Sequence, residues 1–228
     1  MFLISAFSAI ADEFEKLADN HWVSVDIEKK DWPSVKNTKQ AFGDIYTFNV
    51  NTEKVPDSFR IQAHEVSCKA FLALGVLSPL RQSQVASLCE YAMEEPVTGI
   101  SFEEANGFCE SKGARLPTEA QWVYGASLVS HTWLVAYGIV KGAQAYEPMA
   151  SYKEDSALAL LGPLGIKGLY GNVWEMTRSL WGGQQGRYII KGGAFDMTDK
   201  PGLMHPYLRA AFLGTDIHNQ NIGFRCVK

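Results

Sequence analysis

Residues 113–122 read Gly113-Ala-Arg-Leu-Pro-Thr-Glu-Ala-Gln-Trp122 and have the features of a helix start. The Thr118 hydroxyl can accept a hydrogen bond from the backbone amide three residues later, and the Gln121 side chain can reach back to the amide of Thr118. Pro117 fixes its own φ angle immediately before this cap. The stretch therefore predicts a helix from Thr118 to about Leu128.

Several side chains in and around this stretch are expected in the protein interior. We interpret Arg115 as a buried ion-pair partner of Glu119 or Glu175. Large aromatic side chains dominate protein cores, which gives the following expected core set: Trp122, Trp174, Phe195 and Phe224. These residues predict scaffold rather than ligand contact.

Three further helices are predicted on the N-terminal side. Ser101 and Glu104 have the spacing of a capping box, which predicts a helix over 102–112. Apolar residues at helical spacing predict two more helices, over 65–74 and 80–93.

Short strands are predicted over 45–50, 188–191, 207–213 and 222–227, where β-branched and aromatic residues alternate with polar ones. The stretch 129–168 is rich in Gly and Ala without a clear period and predicts loops. The pattern therefore predicts a chain that mixes helices, short strands and long loops.

The N-terminal residues predict an amphipathic helix, because Ala6, Ile10, Phe14 and Leu17 lie at helical spacing. The apolar start lacks a basic region, is too short to span a bilayer and is followed at once by acidic residues. We therefore expect no signal peptide and no membrane span.

The domain organisation expected from these patterns is an N-terminal arm over 1–42, acting as an assembly contact, followed by one domain over 43–228. The net charge of −4 and the pI near 5.8 give no electrostatic reason to expect a polyanion partner. We expect no nucleic acid ligand.

Four segments in order resemble the formylglycine-generating (sulfatase-modifying) enzyme family. Residues 113–122 are similar to its G-x-R-L-P-T-E-A-E-W motif. The other similar stretches are Phe59-Arg-Ile-Gln-Ala-His-Glu-Val-Ser67, Gly168-Leu-Tyr-Gly-Asn-Val-Trp-Glu-Met176, and Lys191-Gly-Gly-Ala-Phe195 with Asn221-Ile-Gly-Phe-Arg225. The resemblance implies a C-type-lectin-like α+β fold with short twisted antiparallel strands, two or more packed helices and long loops.

The resemblance also implies where catalysis would lie. The catalytic branch of the family places two cysteines between its G-G-S and G-F-R segments, and their thiolates bind copper and activate oxygen. Residues 194–223 contain no cysteine. The sequence therefore favours a non-catalytic member, and the alternative is an oxidoreductase of the same family that uses other residues.

The resemblance implies two further features. Asn172 and Glu175 match the family's calcium-binding motif, although the chain is about three residues shorter than that motif just before Asn172. Cys109 and Cys226 lie where the family commonly has a disulfide, with a buried pair of thiols as the alternative. Cys68 and Cys89 are interpreted as core residues on helices.

The loops over 196–220 are expected to carry ligand contacts, because recognition usually resides on loops of a rigid scaffold. The candidate ligand-binding residues are Asp196, Thr198, Asp199, Lys200, His205, Tyr207, Thr215, Asp216, His218 and Asn219. A protein, a glycan or a surface receptor is the expected partner. By analogy with lectin-like receptor-binding proteins, we expect a chain made in the cytoplasm and incorporated into a phage virion or another surface particle.

Overall fold

The computed structural model describes residues 22–26, 58–75, 77–127, 140–141, 145–146, 166, 168–169, 171–196 and 208–228. The predicted N-terminal helix and the strand predicted over 45–50 lie outside these ranges. The helices are α1 (Cys68–Ala73), α2 (Pro79–Leu88), α3 (Phe102–Ser111) and α4 (Glu119–Ser127). The strands are β1 (Trp22–Asp26), β2 (Ser58–Gln62), β3 (Val140–Lys141), β4 (Ala145–Tyr146), β5 (Trp174–Leu180), β6 (Arg187–Lys191), β7 (Ala210–Leu213) and β8 (Ile222–Gly223).

The principal sheet has the strand order β7-β6-β5-β8. β6 pairs antiparallel with both β5 and β7, whereas β8 pairs parallel with β5. The strand predicted over 222–227 is therefore shorter than expected. Its continuation leaves this sheet, and Val227 instead bridges Ile61 and Arg115.

A second, two-stranded sheet joins the two ends of the described chain. β1 pairs antiparallel with β2, and the backbone of Arg60 exchanges hydrogen bonds with that of Lys228. The Lys228 ammonium lies 4.0 Å from the centre of the Trp22 ring. β1, which lies within the predicted arm over 1–42, therefore pairs with a strand of the predicted domain over 43–228.

The helix starts confirm the capping predictions. The Ser101 hydroxyl accepts from the Glu104 amide while the Glu104 carboxylate accepts from the Ser101 amide. Thr118 and Gln121 form the same reciprocal pair before α4. The helix predicted over 65–74 begins only at Cys68, because the Ser67 hydroxyl caps the Ala70 amide.

The core lies between the helices and the principal sheet. Phe71 of α1, Phe108 of α3 and Phe224 after β8 form a buried aromatic cluster with ring centroids 5.5–6.1 Å apart. Burying each of these side chains contributes about 2 kcal/mol. Trp122, Trp174 and Phe224 are buried as predicted. The prediction that Phe195 is a core residue is wrong, because it remains 39% exposed.

No helix among the described ranges is long and apolar enough to cross a bilayer.

Candidate functional site

A buried ionic cluster joins β5 to the segment after β8. The Arg225 guanidinium donates to both oxygens of Glu175, from Nε to Oε2 and from Nη2 to Oε1, each at 2.7 Å. The indole nitrogen of Trp122 donates to Glu175 Oε2 at 2.8 Å. Glu65 lies 3.4 Å from the same nitrogen, Arg225 Nη2, and accepts from the side-chain amide nitrogen of Asn172 at 2.9 Å. The side chains of Arg225 and Glu175 are completely buried.

The cluster is electrostatically tight. Burial raises the pKa of Glu175 to about 7, and the Arg225 guanidinium opposes that effect. Burial tends to lower the pKa of Arg225, but the carboxylates of Glu175 and Glu65 raise it above its usual range. The guanidinium therefore stays charged between two carboxylates.

A second ionic cluster fixes the start of α4. Glu119 accepts from Lys191 at 3.1 Å and from Arg209 at 3.1 Å, and Arg209 also lies 5.6 Å from the centre of the Trp181 ring. The prediction that Arg115 is a buried ion-pair partner of Glu119 or Glu175 is wrong. Its side chain is exposed, and its backbone bridges Val227. The partners of Glu119 are instead Lys191 of β6 and Arg209, the residue before β7.

The side chains of Asn172 and Glu175 do not fit a calcium site as they lie. Calcium takes several oxygen ligands, but both Glu175 oxygens already accept from Arg225, whose positive charge opposes a cation beside it. Asn172 directs its amide nitrogen at Glu65. Across the described ranges, no three His, Cys, Asp or Glu side chains form a metal-binding group.

The ionic cluster around Arg225 requires a glycine at position 168. Its φ is +74°, and a Cβ atom placed there would collide with the Glu65 carboxylate that holds Asn172 and Arg225. Gly113 has a similar φ of +64° with open space around it.

We expect Gly168→Ala to lower the free energy of unfolding by about 2–3 kcal/mol, since it adds a collision to the strain of a left-handed alanine. Gly113→Ala, which has the strain alone, should cost about 1 kcal/mol. Urea denaturation of both variants checks this. Equal losses would show that Gly168 does not support the cluster.

Five of the ten candidate ligand-binding residues lie in the described ranges: Asp196, Thr215, Asp216, His218 and Asn219. The Asp216 carboxylate accepts from the His218 amide at 2.9 Å and from the Asn219 side chain at 2.6 Å. Asp196 accepts from Asn221 at 2.7 Å, which attaches it to the end of the same loop. The other five, Thr198, Asp199, Lys200, His205 and Tyr207, lie outside the described ranges.

The backbone of the 214–221 loop is held by the core. The Phe102 amide donates to the Gly214 carbonyl at 2.8 Å, and the Gly99 amide donates to the Asn219 carbonyl at 3.1 Å. Thr215 and His218 are exposed on this framework. The loop therefore presents polar side chains from fixed backbone positions.

All four cysteines of the chain form disulfides. Cys109 of α3 is joined to Cys226 with Cα atoms 5.6 Å apart, and Cys68 is joined to Cys89 with Cα atoms 5.7 Å apart. Cys68 and Cys89 are buried in the core, as predicted. The disulfide between them was not predicted, and it forms because the end of α2 brings Cys89 to the start of α1.

Sequence reasoning also missed two contributors. Glu65 belongs to the quoted 59–67 segment, but nothing in its spacing indicated a partner 160 positions away at Arg225. Asn221 opens the quoted 221–225 segment just before the predicted strand over 222–227, and its side chain binds Asp196. Contacts between segments so far apart leave no periodic signal.

The helices and the four-stranded sheet form a C-type-lectin-like α+β domain. A solved structure has the same fold. The crystal structure of CarF aligns with a TM-score of 0.56 at 17% identity, over 91% of this chain and 97% of that one. This likeness confirms the predicted fold class.

The family follows from the sequence comparison. The family model described as "Sulfatase-modifying factor enzyme 1-like domain" matches residues 2–228, so the chain belongs to the formylglycine-generating enzyme family.

The chain is similar both to relatives named as formylglycine-generating enzymes and to relatives named as inactive ones. The Bacillus subtilis protein YfmG, described as uncharacterized, is 30% identical over 60% of this chain and 36% of its own length. The Bos taurus "Inactive C-alpha-formylglycine-generating enzyme 2" is 26% identical over 59% of this chain and 50% of its own length. Relatives named formylglycine-generating enzyme match at 25–29% identity. The matches thus span between a third and a half of the first two relatives' lengths.

Proposed function

We propose that the chain is a non-catalytic binding module that holds its ligand on the 214–221 loop and the adjoining residues Phe195 and Asp196. The observation that carries the proposal is the state of the cysteines. All four are in disulfides, and none lies in residues 194–223.

The copper chemistry of the family needs thiolates, because a soft, oxidisable ligand binds Cu(I) and passes electrons to oxygen. A disulfide sulfur is not such a ligand. Cys109 and Cys226 are also fully buried, while Cys89 and Cys68 are 1% and 4% exposed. These sulfurs hold the fold together and are removed from solvent.

The loop supports a binding role. Its backbone is fixed at Gly214 and Asn219, and Asp216 orients His218 and Asn219, so little ordering entropy is lost when a ligand binds. Phe195 adds a partly exposed aromatic ring beside Asp196. Fixed polar groups around an aromatic side chain suit a protein or a glycan.

The disulfides support action in an oxidising environment, where such bonds persist. A virion or another particle exposed outside the cell would provide it. We propose this setting together with a surface receptor as the partner.

The test is an oxidation assay with metal analysis. Purified oxidised protein is incubated with oxygen, a peptide containing the cysteine substrate motif of the family, and an excess of Cu(I), which also supplies the two electrons that oxygen takes beyond those from cysteine. An active formylglycine-generating enzyme is the positive control. We expect no aldehyde product and less than about 0.1 equivalent of copper or iron per chain. Aldehyde formation, or a stoichiometric redox metal in the purified protein, would establish the oxidoreductase instead.

A further inference from the structure

An exposed apolar and acidic surface lies next to the proposed ligand-binding loop. It consists of Leu88 at the end of α2 and the turn 89–95, and we call it the Tyr91 surface. Tyr91 is 92% exposed, Leu88 44% and Met93 42%. Exposed apolar side chains that lie close together and are rimmed by polar residues are typical of protein interaction sites.

The turn that presents Tyr91 is held rigidly. The Cys68–Cys89 disulfide joins it to α1. The amide of Lys69 donates to the Met93 carbonyl at 2.8 Å, and that of Cys68 donates to the Glu95 carbonyl at 2.9 Å. Such preorganisation is typical of binding surfaces, because the side chains need not be ordered when a partner arrives.

The Tyr91 surface adjoins the 214–221 loop. A Cβ atom at Gly99 would lie 2.9 Å from Leu88 Cδ1 and 3.4 Å from the Ile217 carbonyl oxygen, so all three positions meet. The Gly99 amide also donates to Asn219. A ligand on the loop therefore lies next to Leu88, after which the turn that carries Tyr91 begins.

The charge around Tyr91 is negative. Glu90, Glu94 and Glu95 are exposed, and the ion pair found there joins Glu94 to Lys69 at 3.3 Å. The nearby cation of α2, Arg81, is already paired with Glu104 at 2.7 Å. Among the described residues, no ion pair forms at Glu90 or Glu95. Asp196 and Asp216 add carboxylates on the loop side.

We propose that the Tyr91 surface binds a basic segment of a protein partner, with an apolar side chain against Tyr91 and Leu88 and with Lys or Arg beside Glu90 and Glu95. The proposal rests on the binding function above and names the class of ligand. A partner of complementary charge is favoured because like charges suppress binding and opposite charges steer it. Tyr is a frequent hot-spot residue at such interfaces.

The test uses three fluorescein-labelled peptides with the same central Leu-Tyr-Leu, flanked on both sides by Lys, by Gln or by Glu. Binding to the full oxidised chain is measured by fluorescence anisotropy at 50 and 150 mM NaCl. We expect the Lys peptide to bind about 10-fold more tightly than the Gln peptide at low salt, with no detectable binding of the Glu peptide.

Variants locate the site. Tyr91→Ala should weaken the Lys peptide about 10-fold, and Glu90→Gln with Glu95→Gln about 5-fold with a smaller salt dependence. Glu110→Gln, an exposed acid on the last turn of α3, is the charge control and should change binding less than 2-fold, with thermal unfolding confirming that every variant is folded.

The proposal is wrong if the three peptides bind alike or if Tyr91→Ala binds as the wild type does. Sedimentation showing self-association that Tyr91→Ala abolishes would identify a second copy as the occupant and also overturn it. These outcomes are independent of the oxidation assay, so failure of this proposal is distinguishable from failure of the proposed function.

Discussion

Replacing Arg225 with methionine should lower the free energy of unfolding by about 3–5 kcal/mol, because it leaves Glu175 and Glu65 buried without their cation. The loss should depend on pH. The folded-state pKa of Glu175, about 7, lies above its ordinary value of 4.5, so folding takes up a proton and this group's contribution to stability falls as pH rises from about 4.5 to 7. Without Arg225, no guanidinium stabilises the ionised form of Glu175. The loss of unfolding free energy should therefore be larger at pH 8 than at pH 5.

Guanidinium chloride denaturation at both pH values measures this effect. Arg115→Met, which removes an exposed guanidinium, is the matched control and should change stability by less than about 0.5 kcal/mol. A second Glu175→Gln change in the Arg225→Met background should recover part of the loss at pH 8, since it removes one buried charge. A loss below about 1 kcal/mol with no pH dependence would show that the cluster is not the folding element described.

The second large effect is expected at the disulfide between Cys109 and Cys226. It closes a loop with a sequence separation of 117, and the chain-entropy relation gives a loss of about 5 kcal/mol when both are replaced by serine. Replacing Cys68 and Cys89, whose separation is 21, should cost about 3 kcal/mol. The same denaturation experiment, carried out without reductant, gives both values.

The comparison between the two pairs is the control. Each double variant removes two buried sulfurs, so loss of packing is similar and the difference reports the loop. If the shorter loop proves as costly as the longer one, chain entropy does not account for the stabilisation, and local contacts around α1 do.

Local signals in the sequence predicted the helix starts well, because a capping box is complete within four residues. Ser101 with Glu104 and Thr118 with Gln121 both form the predicted reciprocal bonds. The α+β class followed from the mixture of periods and from the family resemblance.

The ionic partners could not be predicted in the same way. Arg115 is close to Glu119 in sequence, yet Lys191 and Arg209 pair with Glu119 because β6 and the approach to β7 bring them to the start of α4. The strand β1 was missed because five residues of mixed character give no strong period, and its pairing with β2 is set by tertiary structure. The sequence predicted candidate ligand contacts on the 196–220 loops, but nothing in it indicated the turn that carries Tyr91.

The most direct measurement of the central claim is peptide mapping of the native, unreduced chain by mass spectrometry after alkylation in denaturant. We expect no alkylated cysteine and two linked peptide pairs, Cys68 with Cys89 and Cys109 with Cys226. Recovery of alkylated Cys109 or Cys226 from freshly purified protein would show that thiols are available for metal chemistry, and would contradict the assignment of the chain as a non-catalytic binding module.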